Sequence, residues 1–203
     1  GGKGDPARER RVQAFLGRSH LEQQGYAKAE QVFEPLVNDE DGAEVALWQG
    51  RVFQRQGKHA EAEAIVASAL KRHAEDPLRP DLLFDLGQHQ IKQQKFAEAG
   101  QSLDQLLRKF KEYDQRADAV RHNALCKHRA EDYAASLALC REFLAANAEA
   151  VGAADMMFLE GENRFFLNQP KEAVAAYMAF IKAHEEHEQI PVARMRVGEA
   201  HFE

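Results

Sequence analysis

The chain has 203 residues, of which 30% are charged and 44% are hydrophobic, with a formal net charge of −6 and two cysteines. The charged fraction is close to the ~25% of globular proteins, which argues against wholesale disorder. Two cysteines are too few for a disulfide framework or a four-thiolate zinc site. No stretch approaches the ~18 consecutive apolar residues of a membrane-spanning helix. The acidic balance disfavours nucleic acid as the main partner.

Both ends of the chain suggest a fragment of a longer protein. Residues 1–7 contain no initiating Met and are rich in glycine, so we expect a disordered lead-in that is partly a cloning remnant. The C-terminal residues 201–203 still belong to a predicted helix. Any signal peptide would lie outside this stretch, and the sequence leaves cytoplasm and periplasm both open.

A repeat with a spacing of 33 and then 37 residues runs through the sequence. One column holds small residues, namely Gly17, Gly50, Gly87, Ala124, Gly161 and Gly198. A second small column lies twelve positions later, at Ala29, Ala62, Ala99, Ser136 and Ala173. A bulky column follows four positions further on, at Phe33, Val66, Leu103, Cys140 and Tyr177. Such a period predicts an array of stacked repeats rather than one globular core.

Each repeat is predicted to form two antiparallel helices, because apolar residues recur at three- and four-residue spacing. In the third repeat these helices are expected at Asp81–Gln93 and Ala97–Lys109. Alternating β-branched runs are absent, so no strands are expected. The small columns predict a close approach of the two helices, with Gly87 facing Ala99. The bulky column is then expected to be buried against the next repeat.

Three kinds of residue are expected to shape the helix ends. The turns use Gly25 and Gly57 in the first two repeats, where positive φ is inexpensive, and other residues afterwards: Gln94, Glu131 and Asn168. Pro35 should kink or shorten the second helix of the first repeat. Aspartates recur near the start of the first helix, where they are expected to act as N-caps or to compensate the helix dipole: Asp81, Asp118 and Asp155.

These columns resemble the tetratricopeptide repeat. The second repeat carries the resemblance best, since five of its residues fall on that family's pattern: Gly50, Phe53, Gly57, Ala62 and Ala69. Departures from the pattern are Trp48, which is displaced relative to the glycine, and Ala124, which replaces the glycine in the fourth repeat. The 37-residue spacing is similar to a longer variant common in bacterial envelope assembly proteins.

The resemblance covers about residues 8–203 and implies an all-α fold, a right-handed α-solenoid of antiparallel helix pairs. The expected full repeats are 8–42, 43–79, 80–116, 117–153 and 154–190. Residues 191–203 are expected to form the first helix of a sixth repeat.

The family's architecture implies a non-catalytic scaffold for protein–protein interaction that binds a peptide or partner protein in a concave groove lined by the first helices. The inward positions lie three residues before the glycine column and one, four and five residues after it. From these positions we take as candidate binding residues Arg18, Arg51, Gln54, Arg55, Gln88, Lys92, Arg121, Arg129, Phe158 and Phe165.

The basic residues in this set have two interpretations. In one, they form a basic groove for an acidic peptide or a C-terminal carboxylate, because guanidinium groups pair well with carboxylates. In the other, they solvate a helix face and pair with acids of neighbouring repeats. The family's carboxylate-clamp pattern is not matched, since Ala14 and Arg18 stand where Lys and Asn are expected.

The aromatic residues of the fifth repeat are similarly open to two interpretations. Phe158, Phe165 and Phe166 could form an apolar pocket at one end of the groove, or they could belong to the core.

Motifs for catalysis or cofactor binding are absent from the sequence, so we predict neither an enzyme nor a cofactor. His184 and His187 lie close together, but no second ligand pair is specified and a metal site is not expected. Cys126 and Cys140 lie on the two helices of one repeat, where buried free thiols are favoured over a disulfide.

Two other functions remain open. The helix at 191–203 lacks its partner helix, so the apolar face around Val197 could support a homodimer and hence a self-associating scaffold. Alternatively, the chain could be a regulatory arm of an enzyme whose catalytic domain lies elsewhere in the full protein.

Overall fold

The computed structural model describes residues 6–36 and 42–201. Within these ranges the chain forms eleven α-helices and one short 3-10 helix, at Glu34–Leu36, and contains no strand. The helices are α1 (Pro6–Glu22), α2 (Tyr26–Phe33), α3 (Gly42–Arg55), α4 (His59–Arg72), α5 (Arg79–Lys92), α6 (Phe96–Lys109), α7 (Arg116–Arg129), α8 (Tyr133–Asn147), α9 (Ala153–Phe166), α10 (Pro170–Ala183) and α11 (Ile190–His201).

The predicted all-α architecture of helix pairs is confirmed. First helices begin at residues 42, 79, 116, 153 and 190, each one residue before the expected start of a repeat. Of the expected lead-in, residues 1–5 lie outside the described residues, whereas α1 already begins at Pro6. No helix within the described ranges is long and apolar enough to cross a membrane.

The chain divides into two compact bodies, residues 1–106 and 107–203, which we call the N-terminal body and the C-terminal body. Consecutive helices pack together from α1 to α5 and from α7 to α11. In addition, the first helix of one repeat contacts the first helix of the next, as α3 does with α5 and α9 with α11. First helices of successive repeats therefore form a shared surface within each body.

The glycine column packs against the bulky column of its own repeat, a contact that the predicted approach of Gly87 to Ala99 did not include. A Cβ added at Gly87 would lie 2.9 Å from Leu103 Cγ. The same pairing occurs elsewhere in the array: Gly17 with Phe33, Gly50 with Val66 and Gly161 with Tyr177. The bulky side chain reaches across the helix pair and covers the glycine, because no Cβ fills that space. The bulky column is thus used within its own repeat and not only against the next one.

The fourth repeat replaces this contact by a matched pair of substitutions. Ala124 stands in the small column and Cys140 in the bulky column, and both are fully buried in one core cluster with Phe143 and Met156. A larger residue on one helix is offset by a smaller one on the other, which preserves the packing volume. Cys126 and Cys140 are both buried free thiols, and burial raises the pKa of Cys140 to about 12.

The helix ends differ from prediction in two details. In the first turn the left-handed residue is Gln24, with φ of 60°, and not Gly25, whose φ is −80°. The recurring aspartates lie inside the first helical turn and are not N-caps, so their role there is to compensate the helix dipole. The effect of Pro35 is confirmed, since α2 ends at Phe33 and continues only as a 3-10 turn.

The apolar side of α11 also differs from prediction. Val197 packs against a core cluster that contains Tyr177, Phe180 and Ala193, so it is not an uncovered residue. The uncovered side of α11 instead contains Met195, which is 52% exposed, and Gly198, where an added Cβ would meet no described atom within 4 Å.

Gly161 and Gly198 provide a matched test of the packing contact, because both are helical and only Gly161 is covered. A Cβ at Gly161 would lie 2.6 Å from the ring of Tyr177. We expect Gly161→Ala to lower the free energy of unfolding by about 1–3 kcal/mol through overpacking. Gly198→Ala should leave it unchanged or raise it by up to about 1 kcal/mol, because alanine favours helix. Urea unfolding followed by circular dichroism measures both, and equal effects would contradict the proposed contact.

Candidate functional site

Side chains from the predicted inward positions assemble into a groove in the N-terminal body. This N-terminal groove has a volume of about 530 Å³. Its walls come from α1, α3 and α5 and from the first turn. The lining residues are Leu21, Glu22, Gln24, Tyr26, Trp48, Arg51, Gln54, Arg55, Asp85 and Gln88.

A second groove lies in the C-terminal body, between α7 and α9. This C-terminal groove has a volume of about 420 Å³. The lining residues are Arg121, His122, Leu125, His128, Arg129, Asp155, Met156, Phe158, Leu159, Glu162 and Gln189.

Seven of the ten candidate residues line one of these grooves, namely Arg51, Gln54, Arg55, Gln88, Arg121, Arg129 and Phe158. The other three lie elsewhere. Lys92 is exposed near the end of α5, Arg18 stacks over Trp48, and Phe165 packs on the core formed with α10 and α11.

The prediction missed one lining position that recurs in four repeats. Residues two positions before the glycine column also face the grooves: Trp48, Asp85, His122 and Leu159. This position lies three residues before the residue that directly follows the glycine column, and that residue was predicted to face the groove. Because residues three apart share a helix face, the helical spacing alone could have identified it.

Arg51 is held by neighbouring repeats. Its Nε donates a hydrogen bond of 2.8 Å to Asp85 Oδ2 on α5. The guanidinium carbons of Arg18 and Arg51 also lie 4.2 and 4.8 Å from the centroid of the Trp48 ring, within cation–π distance. Burial raises the pKa of Asp85, and the charge of Arg51 opposes that rise. Arg51 therefore joins successive repeats, as the second interpretation of the basic residues supposed.

In the C-terminal body an ion pair joins the two positions that Arg51 and Asp85 occupy in the N-terminal body, but with the charges reversed. Glu162 follows the glycine of its repeat, and Arg196 precedes the glycine of the next by two residues. Arg196 Nε donates to Glu162 Oε1 over 3.0 Å, and the buried hydroxyl of Tyr177 donates to the same oxygen over 2.5 Å. Burial and this hydrogen bond raise the pKa of Tyr177. The residue after the glycine column can therefore be either the base or the acid of the ion pair that joins two repeats.

A second link between repeats involves acids on the second helices. Glu30 accepts hydrogen bonds from Gln56 and Lys58 in the turn of the next repeat. Glu63 likewise accepts from Lys95 Nζ over 2.6 Å and from the side-chain amides of Gln90 and Gln93. Although burial opposes it, these hydrogen bonds hold the pKa of Glu63 below its usual value.

The aromatic residues of the fifth repeat divide between core and surface. Phe158 lies 5.6 Å from Phe180, centroid to centroid, and its remaining surface lines the C-terminal groove. Phe165 is half-buried against the same core, with the Arg196 guanidinium 4.6 Å from its ring centroid. Phe166 is 44% exposed and stacks on Tyr133 at 4.8 Å. The core interpretation therefore accounts for Phe165, and Phe158 serves both core and groove.

His187 lies beside one carboxylate, with its Nε2 3.5 Å from Asp155 Oδ1. Across residues 6–36 and 42–201, no three His, Cys, Asp or Glu side chains are grouped so that they could hold a metal ion.

His89 lies on α5 and is fully buried close to Gly50. Neither ring nitrogen has a hydrogen-bond partner among the described residues. Burial lowers its pKa to about 4, the charges of His59 and Arg51 act in the same direction, and Glu63 opposes them. The ring is therefore neutral in the folded chain at neutral pH.

The comparisons with known proteins agree with this architecture. Sequence models of the tetratricopeptide repeat family match residues 16–80 and residues 53–122, which together span more than half of the chain. A comparison with curated proteins finds no match.

Solved structures of tetratricopeptide repeat proteins share the fold. A protein from Parabacteroides merdae matches with a TM-score of 0.73 and 14% identity, over 96% of this chain and 73% of its own. YrrB matches with a TM-score of 0.78 and 15% identity, over 90% of both chains. MamA from AMB-1 matches with a TM-score of 0.72 and 14% identity, over 91% of this chain and 96% of its own. The helix pairs, the packing columns and these matches define an all-α solenoid. The chain belongs to the tetratricopeptide repeat family.

The neutral buried His89 makes the stability of the N-terminal body depend on pH. The pKa of His89 is about 4 in the folded chain and 6.5 in the unfolded chain. As the pH falls, the unfolded chain therefore binds a proton at this residue before the folded chain does. We expect this residue to contribute a loss of about 2 kcal/mol between about pH 7 and about pH 5.

Urea unfolding at the two pH values, with His89→Leu as the comparison, measures this contribution. The variant should lose less stability on acidification than the parent chain. An identical pH dependence in the two proteins would show that His89 is not the group responsible.

Proposed function

We propose that the chain is a non-catalytic scaffold that binds a peptide segment of a partner protein along the grooves formed by its first helices, and that this segment carries acidic side chains or a free carboxylate. The observation that carries the proposal is the assembly of seven candidate side chains into two grooves on first helices. Scaffolding through helical repeats is the role associated with this family.

Unpaired polar groups in the N-terminal groove support peptide binding. The side-chain amides of Gln24, Gln54 and Gln88 make no hydrogen bond with another described residue, although all three line the groove. An amide offers both donors and an acceptor, which is the combination needed to bind the N–H and C=O groups of an extended peptide. A bound peptide would therefore find hydrogen-bonding groups that the fold leaves unused.

The pairing of charges supports an acidic partner. Arg55 and Arg129 are exposed and have no ion-pair partner in the described part of the chain. In contrast, groove acids are already paired, Asp85 with Arg51 and Glu162 with Arg196. Glu22 has no such pair among the described residues, and Asp155 contacts the imidazole of His187. Arg55 and Arg129 are therefore the groove bases that remain free to pair with an acidic ligand.

One structural relative gives further support. YrrB, which shares the fold, is described as a tetratricopeptide repeat protein with an unusual peptide-binding site. We extend peptide binding to this chain as part of the proposal, since the identity of 15% transfers the fold alone.

Reversing the two free bases tests the proposal. Short random peptides displayed on phage and selected on the immobilised chain should be enriched in Asp and Glu. The double variant Arg55→Glu, Arg129→Glu should bind the selected peptides at least about tenfold more weakly, because charge-assisted hydrogen bonds are replaced by repulsion. Arg51 is left intact, since its removal would break the contact with Asp85.

The matched control is Lys71→Glu, Lys182→Glu. These lysines are also exposed and also lie in the last turn of a helix, but neither lines a groove. The control should bind as the parent chain does. Equal binding by both double variants, or a selection without acidic enrichment, would refute the acidic partner.

Self-association is a second proposal, which rests on the uncovered side of α11. Four glycines of the column are covered by a bulky side chain, whereas Gly198 faces open space among the described residues next to exposed Met195. A second copy could cover this surface and form a homodimer.

Light scattering at increasing protein concentration tests self-association. The parent chain should approach twice its monomer mass, and Met195→Glu should stay monomeric because a charge would be buried in the interface. A parent chain that remains monomeric throughout the concentration range would reject the dimer.

A further inference from the structure

The C-terminal groove has an apolar floor. Leu125 from α7 lies opposite three apolar residues of α9, which are Met156, Phe158 and Leu159. Met156 and Leu159 belong to the core cluster of the body, so the floor is held in place by packing beneath it. With about 420 Å³, the groove lies within the range of roughly 300–1,000 Å³ that is typical of ligand pockets.

One side of this groove is basic and comes from a single helix. Four residues of α7 line it, in two pairs about two turns apart: Arg121 with His122, and His128 with Arg129. Arg121 pairs with Asp118, and His128 Nδ1 is bonded to Asn163. Arg129 is exposed and remains unpaired within the described ranges.

The acids on the opposite side of the groove are already engaged. Asp155 lies 3.5 Å from His187, and Glu162 accepts from Tyr177 and Arg196. Glu162 is therefore neutralised by Arg196, and neither acid forms an ion pair with Arg129, so an acidic group of a ligand can pair with this residue.

The N-terminal groove has a different chemistry. Its aromatic residue Trp48 is already stacked by Arg18 and Arg51, and its free groups are mainly glutamine amides. The amides suit a peptide backbone, whereas the apolar floor of the C-terminal groove suits one side chain.

We infer that the C-terminal groove is an anchor site for a partner segment in which a bulky apolar side chain is flanked by acidic residues. The apolar side chain would contact Leu125 and Phe158, and the flanking carboxylate would pair with Arg129. This inference rests on the proposed peptide-binding function and adds the chemical class of the segment and the groove that selects it.

Three labelled peptides on one Gly-Ser background separate the two elements of recognition. Their central residues are Glu-Phe-Glu, Glu-Ser-Glu and Lys-Phe-Lys, and binding to the full chain is followed by fluorescence anisotropy. We expect the first peptide to bind about tenfold more tightly than either of the others, since it alone supplies both the buried apolar surface and the charge. Equal binding of the first two would exclude an anchor, and equal binding of the first and third would exclude the acidic preference.

A substitution in the floor locates the site. Leu125→Gln replaces the apolar end of the side chain by an amide, and should weaken binding of the Glu-Phe-Glu peptide about fivefold while leaving Glu-Ser-Glu unchanged. Met178→Gln makes a similar change at an exposed position outside the groove and should have no effect. Equal thermal unfolding midpoints of the variants exclude loss of fold. An unchanged affinity of Leu125→Gln for Glu-Phe-Glu would overturn the assignment to this groove.

The same measurements separate this inference from the proposed function. If phage-selected peptides bind the chain but none of the three designed peptides does, the anchor site is wrong and the peptide-binding scaffold stands. If neither set binds, the proposed function fails and the anchor site fails with it.

Discussion

The contact between a glycine on the first helix of a repeat and the bulky residue sixteen positions later determines the geometry of the helix pair. Tyr177 shows how much depends on it. Its ring covers Gly161 because no Cβ is present there, and its hydroxyl then reaches Glu162. Glu162 in turn binds Arg196 of the next helix. A contact inside one repeat therefore positions the group that joins it to the next.

The polar groups that the grooves expose are those that are not paired between successive repeats. Arg51 and Glu162 occupy the same position relative to the glycine column, yet each is paired with an opposite charge on the following helix. Such a joining contact needs complementarity and not a particular sign. Arg55 and Arg129 lie four residues further along the helix and lack such a partner among the described residues. The charge that a groove presents therefore depends on which of its basic residues are paired with acids of the next repeat.

Much of the fold could be predicted because the packing contacts recur with the sequence period. The predicted helix Ala97–Lys109 differs from α6 by one residue at its start. The predicted helix Asp81–Gln93 differs from α5 by two residues at its start and one at its end. The contact of Gly87 with Leu103 was not predicted, because the sequence does not show which side chain of the opposite helix covers a glycine. The left-handed turn residue was also misplaced, since Gly25 suggested it and the chain uses Gln24 instead.

The sequence by itself determined the number and order of the helices and the faces that line the grooves, because helical spacing assigns each residue to a face before any tertiary contact forms. Only the tertiary structure decided which of those residues are free. Arg51 and Arg55 lie on the same helix and line the same groove, and the sequence does not show which of the two is paired. Asp85 Oδ2 lies on another helix, 2.8 Å from Arg51 Nε, and pairs with that arginine, whereas Arg55 has no ion-pair partner among the described residues. Pair energies depend on distances between helices, which arise only when the repeats stack.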